Sequence, residues 1–225
     1  MRFNRFAVGV VALVLAGVAH AHGIGGDDQA FLLRATGPQI GPYLYLGAKH
    51  MVTGYDHLLF LAGVIFFLYR LKDVALYVTL FAVGHSTTLL LGVLGGWHVN
   101  AYLVDAVIGL SVVYKAFENV GGFKRLGFEP STKGAVLFFG FFHGLGLATK
   151  LQDLAISRDG LVTNMVSFNV GVELGQLLAL GLLLIFFNLW RSSGRFFQQA
   201  FAGNLALMAA GFVLAGFQLT GYFVS

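Results

Sequence analysis

Apolar runs long enough to cross a bilayer recur along this chain, and they decide what it can fold into. The hydrocarbon core of a bilayer asks for about 20 predominantly apolar residues in one helix. Inside it, every backbone polar group must be bonded within the segment or the bundle. Such runs fall at about 51–69, 74–95, 101–119, 134–150, 163–189 and 200–222. Composition agrees: 57% of residues are hydrophobic and 11% charged, whereas a soluble domain carries about 25% charged residues. Mean hydropathy is +0.80. The sequence therefore predicts an all-α fold, a polytopic membrane helix bundle with about six transmembrane helices after a cleavable signal peptide.

The signal peptide is read over residues 1–21. Arg2 and Arg5 form its positive start, Phe6 to Val18 its apolar stretch, and Ala19-His20-Ala21 an A-x-A cleavage site. Cleavage would leave His22 first, offering an amine and an imidazole. Residues 22–50 read as an extracytoplasmic lead-in broken by Gly37-Pro38 and Gly41-Pro42, and residues 51–225 as the membrane domain. Orientation follows from the basic residues. Arg70, Lys72, Lys124, Arg125, Lys133, Arg191 and Arg195 all fall between spans one and two, three and four, or five and six. The alternate connections lack such an excess. This predicts a multi-pass protein of the bacterial inner membrane with mature N- and C-termini in the periplasm. The basic balance, a pI near 9.4, is thus used on orientation and gives no reason to expect nucleic acid.

Ionisable groups inside spans are costly, roughly 2.5–3.5 kcal/mol each on insertion scales, and mark function. Here they share a depth. Asp56 and His57 fall one to two turns below the outer surface, with His50 seven residues earlier. If one helix covers both imidazoles, they lie about 20° apart in azimuth. His85 and His143 fall in the outer halves of spans two and four. On span five, Asn169, Glu173 and Gln176 follow an i, i+4, i+7 pattern and share a face. There is no cysteine, so a metal site must use nitrogen and oxygen. His57, His85, His143, Asp56, Glu173 and His50 are the candidate ligands, which suit a divalent ion, Ni²⁺ or Zn²⁺ first among them. Asn169, Gln176, Ser86 and Asp105 are read as groups that orient ligands. Gly140 and Gly144, like Gly171 and Gly175, are spaced for close helix packing. Ser111, Lys115 and Glu118 share a face of span three toward the cytoplasm, read as a structural ion pair, a snorkelling lysine or the lining of an inner exit.

The pattern His50-x-x-x-Gly54-x-Asp56-His57 resembles the signature of the HupE/UreJ family of bacterial membrane proteins. The resemblance continues through Gly84-His85-Ser86-Thr87-Thr88-Leu89, Phe142-His143-Gly144-Leu145-Gly146 and Phe168-Asn169-Val170-Gly171-Val172-Glu173-Leu174-Gly175-Gln176. It looks closest to the second HupE/UreJ subgroup. The resemblance implies a secondary permease for nickel or cobalt, linked to hydrogenase or urease maturation, with His50, Asp56, His57 and His143 in metal binding or passage. The better-known branch has Pro after its first His, where this chain has Met51. It also has His and Glu after its fourth-span His-Gly, where this chain has residues such as Leu147 and Ala148.

Two main functions stay open on the residues, beside a third, a metal sensor or assembly subunit that uses its outer tail to contact a receptor. One is a permease for a divalent transition-metal cation, nickel, cobalt or zinc, loaded from the periplasm with or without an outer-membrane or periplasmic delivery partner. No P-loop is present, so gradients or a partner would drive it. The other is an intramembrane zinc hydrolase loosely similar to alkaline ceramidases, with Asp56 or Glu173 as general base and Ser86 polarising a carbonyl.

Overall fold

The computed structural model describes residues 26–153 and 157–225. The expected signal peptide and His22 lie outside the described residues. Among those described, every regular element is a helix. In chain order they are α1 Gly26–Arg34, α2 Ile40–Thr53, α3 Tyr55–Ile65, α4 Leu71–Gly95, α5 Ala101–Asn119, α6 Gly122–Arg125, α7 Thr132–Asp153, α8 Leu161–Ser192 and α9 Phe196–Val224. Helices α4, α7, α8 and α9 are long and apolar enough to cross a membrane. This is a membrane protein. Four helices meet that criterion where the sequence suggests six spans. The expected first span is split, and α5 is diluted by Asp105, Lys115 and Glu118 within its 19 residues.

The split is the main departure from the expected fold. The sequence predicts one span over residues 51–69 after an irregular lead-in. Instead α2 begins at Ile40 and runs to Thr53, and α3 starts afresh at Tyr55. Gly41-Pro42 does not break α2, because Pro42 lies in its first turn, where the missing N–H has no intrahelical partner to lose. The break comes at Gly54, which is extended (φ −73°, ψ 102°). Its N–H closes α2 on the His50 carbonyl at 2.9 Å, and its own carbonyl opens α3 by accepting from Leu58 at 3.1 Å.

Three helix pairs carry the packing: α4 along α7, α2 along α8, and α5 along α9. In each, glycine lets backbones meet. A Cβ built on Gly171 would stand 2.0 Å from the Leu44 carbonyl oxygen, and one on Gly47 2.0 Å from that of Phe168. Gly140 and Gly144 do the same toward Phe81 and His85, and Gly109 toward Ala215. Close approach through small residues replaces the hydrophobic drive that lipid removes. The short apolar α3 lies between the pairs and touches α2, α4, α5, α8 and α9.

Polar clamps fix the two ends of the bundle. At the end rich in Lys and Arg, the Arg191 guanidinium donates to the carbonyls of Ile65 (3.0 Å) and Phe66 (2.7 Å), the last turn of α3. Asn119 reaches the Gly63 carbonyl at 2.8 Å and Asn204 at 2.9 Å. At the other end, Asn164 donates to the Gly37 carbonyl (3.0 Å) and accepts from the Gln39 N–H (2.6 Å), tying the α1–α2 linker to the start of α8. Leu174, Leu177, Leu178, Leu182 and Ile185 are exposed on α8, as a lipid-facing surface requires.

Candidate metal centre

The break at Gly54 builds the site. In one continuous helix, His50 and His57 would be about 10.5 Å apart along the axis. Across the break their ring centroids are 5.1 Å apart. The expected shared helix is therefore replaced by a closer meeting across two helices. Gly54 also leaves space for the acid beside them. A Cβ there would lie 2.9 Å from His57 Nδ1 and 3.1 Å from Asp56 Oδ1.

Asp56 sits in the first turn of α3, where a carboxylate is favoured by the unpaired N–H groups and the helix dipole. Its Oδ1 accepts the backbone N–H of His57 at 2.9 Å and faces His57 Nδ1 at 2.8 Å. A carboxylate on Nδ1 holds the proton there and leaves the Nε2 lone pair free, the usual arrangement for a ligating imidazole.

His57 is the hub. Its ring centroid lies 4.7 Å from that of His143 on α7 and 5.7 Å from that of His85 on α4. Asp56, His57 and His143 each offer a ligand atom, all within 4.8 Å of one another. His57, His85 and His143 are 3%, 1% and 1% exposed. Yet His57 Nε2, both nitrogens of His85, His143 Nδ1 and His50 Nε2 are buried without a hydrogen-bond partner. Leaving one such group unsatisfied costs about 1–3 kcal/mol. Imidazole nitrogens of this kind are donors that a borderline divalent ion takes, and those of His57 and His143 converge with Asp56. His143 Nε2 has a neighbour in Ser111 Oγ, at 3.3 Å.

Aromatic rings wall the cluster. Phe60 and Phe81 lie 5.4 and 5.0 Å from His143, and Phe168 lies 6.2 Å from His50. His85 and His143 fall near the midpoints of α4 and α7. His57 follows all 14 residues of α2.

The other candidates lie elsewhere. Glu173 is exposed and lines a groove of about 410 Å³ between α4 and α8 with Ser86, Thr87 and Gln176. Asn169 donates to Ser86 Oγ at 2.8 Å and Gln176 to the Val78 carbonyl at 3.3 Å. Asn169 and Gln176 thus tie α8 to α4, and Glu173 is not part of the Asp56–His57–His143 group. Asp105 is buried but taken by Lys150, at 3.0 Å from Oδ1 and 2.8 Å from Oδ2. Sequence reasoning overlooked Lys150. A lysine close to a span end reads as snorkelling, and only the α5–α7 contact shows its partner. It also overlooked the Ser111 contact with His143, and the Thr88 hydroxyl, which donates to the Phe141 carbonyl at 2.7 Å and clamps α4 to α7 beside the histidines.

No curated protein and no solved structure matches the chain. The profile of the HupE / UreJ protein family does, over residues 26–225. That span takes in all four imidazoles, Asp56 and each of the helices that hold them, so the chain belongs to the HupE/UreJ family.

Proposed function

We propose that the protein is a secondary permease for a divalent transition-metal cation, nickel, cobalt or zinc, which is its cargo. One observation carries this: four imidazoles from α2, α3, α4 and α7 meet at a helix break, with five buried ring nitrogens lacking partners. Broken helices at mid-depth are where transporters place ion sites. Family membership points the same way, toward metal transport. In this reading α2–α3 and α5 complete six crossings with the four long helices. The basic end faces the cytoplasm, both mature termini face the periplasm of the inner membrane, and His50 receives the ion. Asp56 and His57 hold it with His143, and His85 supplies a further nitrogen. The hydrolase reading could take Asp56 as its base, but the Ser86 it needs to polarise a carbonyl lines the α4–α8 groove with Glu173.

The test is flux of Ni²⁺, Co²⁺ and Zn²⁺ into proteoliposomes. The wild type should carry at least one of them, and His57→Ala, which removes the hub, should lose more than about tenfold in flux, the loss that 1.4 kcal/mol of binding gives. A wild type that binds an ion and carries none would overturn the permease reading.

A further inference from the structure

A buried lysine lies between the metal centre and the basic end of the bundle. Ser111, Lys115 and Glu118 stand at i, i+4 and i+7 on α5, so they share a face. Ser111 Oγ touches His143 Nε2 at 3.3 Å. One turn further, Lys115 is 7% exposed. Its stem passes over Gly63, where a Cβ would meet Lys115 Cγ at 3.2 Å. Its Nζ rests 2.6 Å from Glu118 Oε2. The other Glu118 oxygen accepts from the Thr132 hydroxyl at the start of α7. Beyond them a hollow of about 250 Å³ opens, lined by Glu118, Lys124, Glu129 and Thr132. The column thus runs from an imidazole of the site, through a hydroxyl, to a carboxylate at the mouth of a surface hollow. Its one buried cation belongs to the protein.

We propose that Lys115 is a tethered cation that closes the inner end of the ion route, holding the place at Glu118 that the passing divalent ion takes when the ammonium swings aside. This rests on the permease reading. An ammonium fixed on the route repels a divalent ion far more in a low-dielectric interior than in water. Gly63 supplies the slot in which the stem lies, so the ammonium is held without a competing side chain from α3. Glu118 is both the counter-charge of the plug and, once freed, an oxygen ligand directed at the hollow. A lysine that only snorkelled would end in water, whereas this one ends on a carboxylate with its side chain 9% exposed.

The probe is Co²⁺ alone, read by visible absorption for binding and by quenching of a dye inside proteoliposomes for flux. Lys115→Met should bind Co²⁺ as the wild type does and pass it down its gradient at least about tenfold faster, because a unit charge has left the route. Lys115→Arg should restore closure. Lys115→Met with Glu118→Gln leaves no unpaired charge to unfold the protein, and should also run faster than wild type. If the wild type carries Co²⁺ and both neutral variants bind it yet carry it no faster, the plug is refuted and the permease stands. If the wild type binds Co²⁺ without carrying it, the permease reading falls and the plug falls with it. A loss of Co²⁺ absorption in Lys115→Met that the double variant does not recover makes the pair structural and also overturns the proposal.

Discussion

Adding one methyl group at Gly144 tests whether helix approach sets the metal centre. A Cβ there would lie 2.1 Å from the His85 carbonyl oxygen and 2.4 Å from Thr88 Oγ1. Comfortable non-bonded contact needs about 3.5 Å, so α4 and α7 must part by roughly 1 Å. Overpacking of this kind costs about 1–3 kcal/mol. The Thr88–Phe141 bond, now 2.7 Å, would stretch, adding about 0.6 kcal/mol, the average for interhelical bonds in membranes. Parting the helices also moves His85 and His143 from opposite walls of one site. If about 1–2 kcal/mol of the strain is relieved by letting the imidazoles separate, Co²⁺ affinity falls about 5–30-fold. The assays are thermal unfolding in detergent and Co²⁺ titration by visible absorption. Gly181→Ala and Gly216→Ala are the controls, since nothing lies within 4 Å of either added Cβ. Both should unfold no earlier than wild type, because alanine is the better helix former by about 1 kcal/mol. Should Gly144→Ala match these controls in both assays, close approach of α4 and α7 does not govern the site.

Gly54→Ala should weaken Co²⁺ binding more than it lowers stability, since its Cβ meets His57 Nδ1 at 2.9 Å; titration beside a melting curve separates the two. Arg191→Met should destabilise by about 1.5–3 kcal/mol, the worth of a hydrogen bond to a charged group, because it removes the charged donor from the Ile65 and Phe66 carbonyls at the end of α3; a melting temperature equal to wild type would refute the clamp. Asn164→Ala removes both bonds to the α1–α2 linker and should speed proteolytic cleavage near residues 35–39, with fragment masses read by mass spectrometry.

The histidines were legible because an ionisable group in an apolar run has few reasons to be there. His57, His85 and His143 needed no knowledge of crossing angles, only of what hydrocarbon charges for a polar ring. Glu173 was misplaced by the same logic. Periodicity puts Asn169, Glu173 and Gln176 on one stripe, but with about 100° per residue Glu173 stands roughly 60° from Gln176. Gly171 and Gly175, on the opposite side, meet Leu44 and Ala48 of α2, which turns the stripe toward α4. The edge holding Asn169 and Gln176 is then covered, and the edge holding Glu173 is left in the groove. Which neighbour receives a stripe is a property of three helices together, and no single run contains it. Asp105 shows the same limit: its partner Lys150 is 45 residues away.

The helix break turns this into a statement about chemistry. A continuous helix would set His50 and His57 two turns apart, each facing its own layer of side chains. Gly54 interrupts the ladder at the one place where the freed groups are immediately reused. Its N–H goes to the His50 carbonyl, and its carbonyl accepts from Leu58. Asp56 takes the N–H of His57. A break in the middle of a membrane protein is tolerable only on such terms. The first turn of α3 is thereby brought to the depth of His85 and His143, and a carboxylate arrives with it at a helix N-terminus, where negative charge is favoured. The small residue at position 54 thus ends one helix, starts the next, clears room for the Asp56–His57 pair, and halves the distance between two imidazoles. The metal centre depends on that residue as much as on any of its ligands.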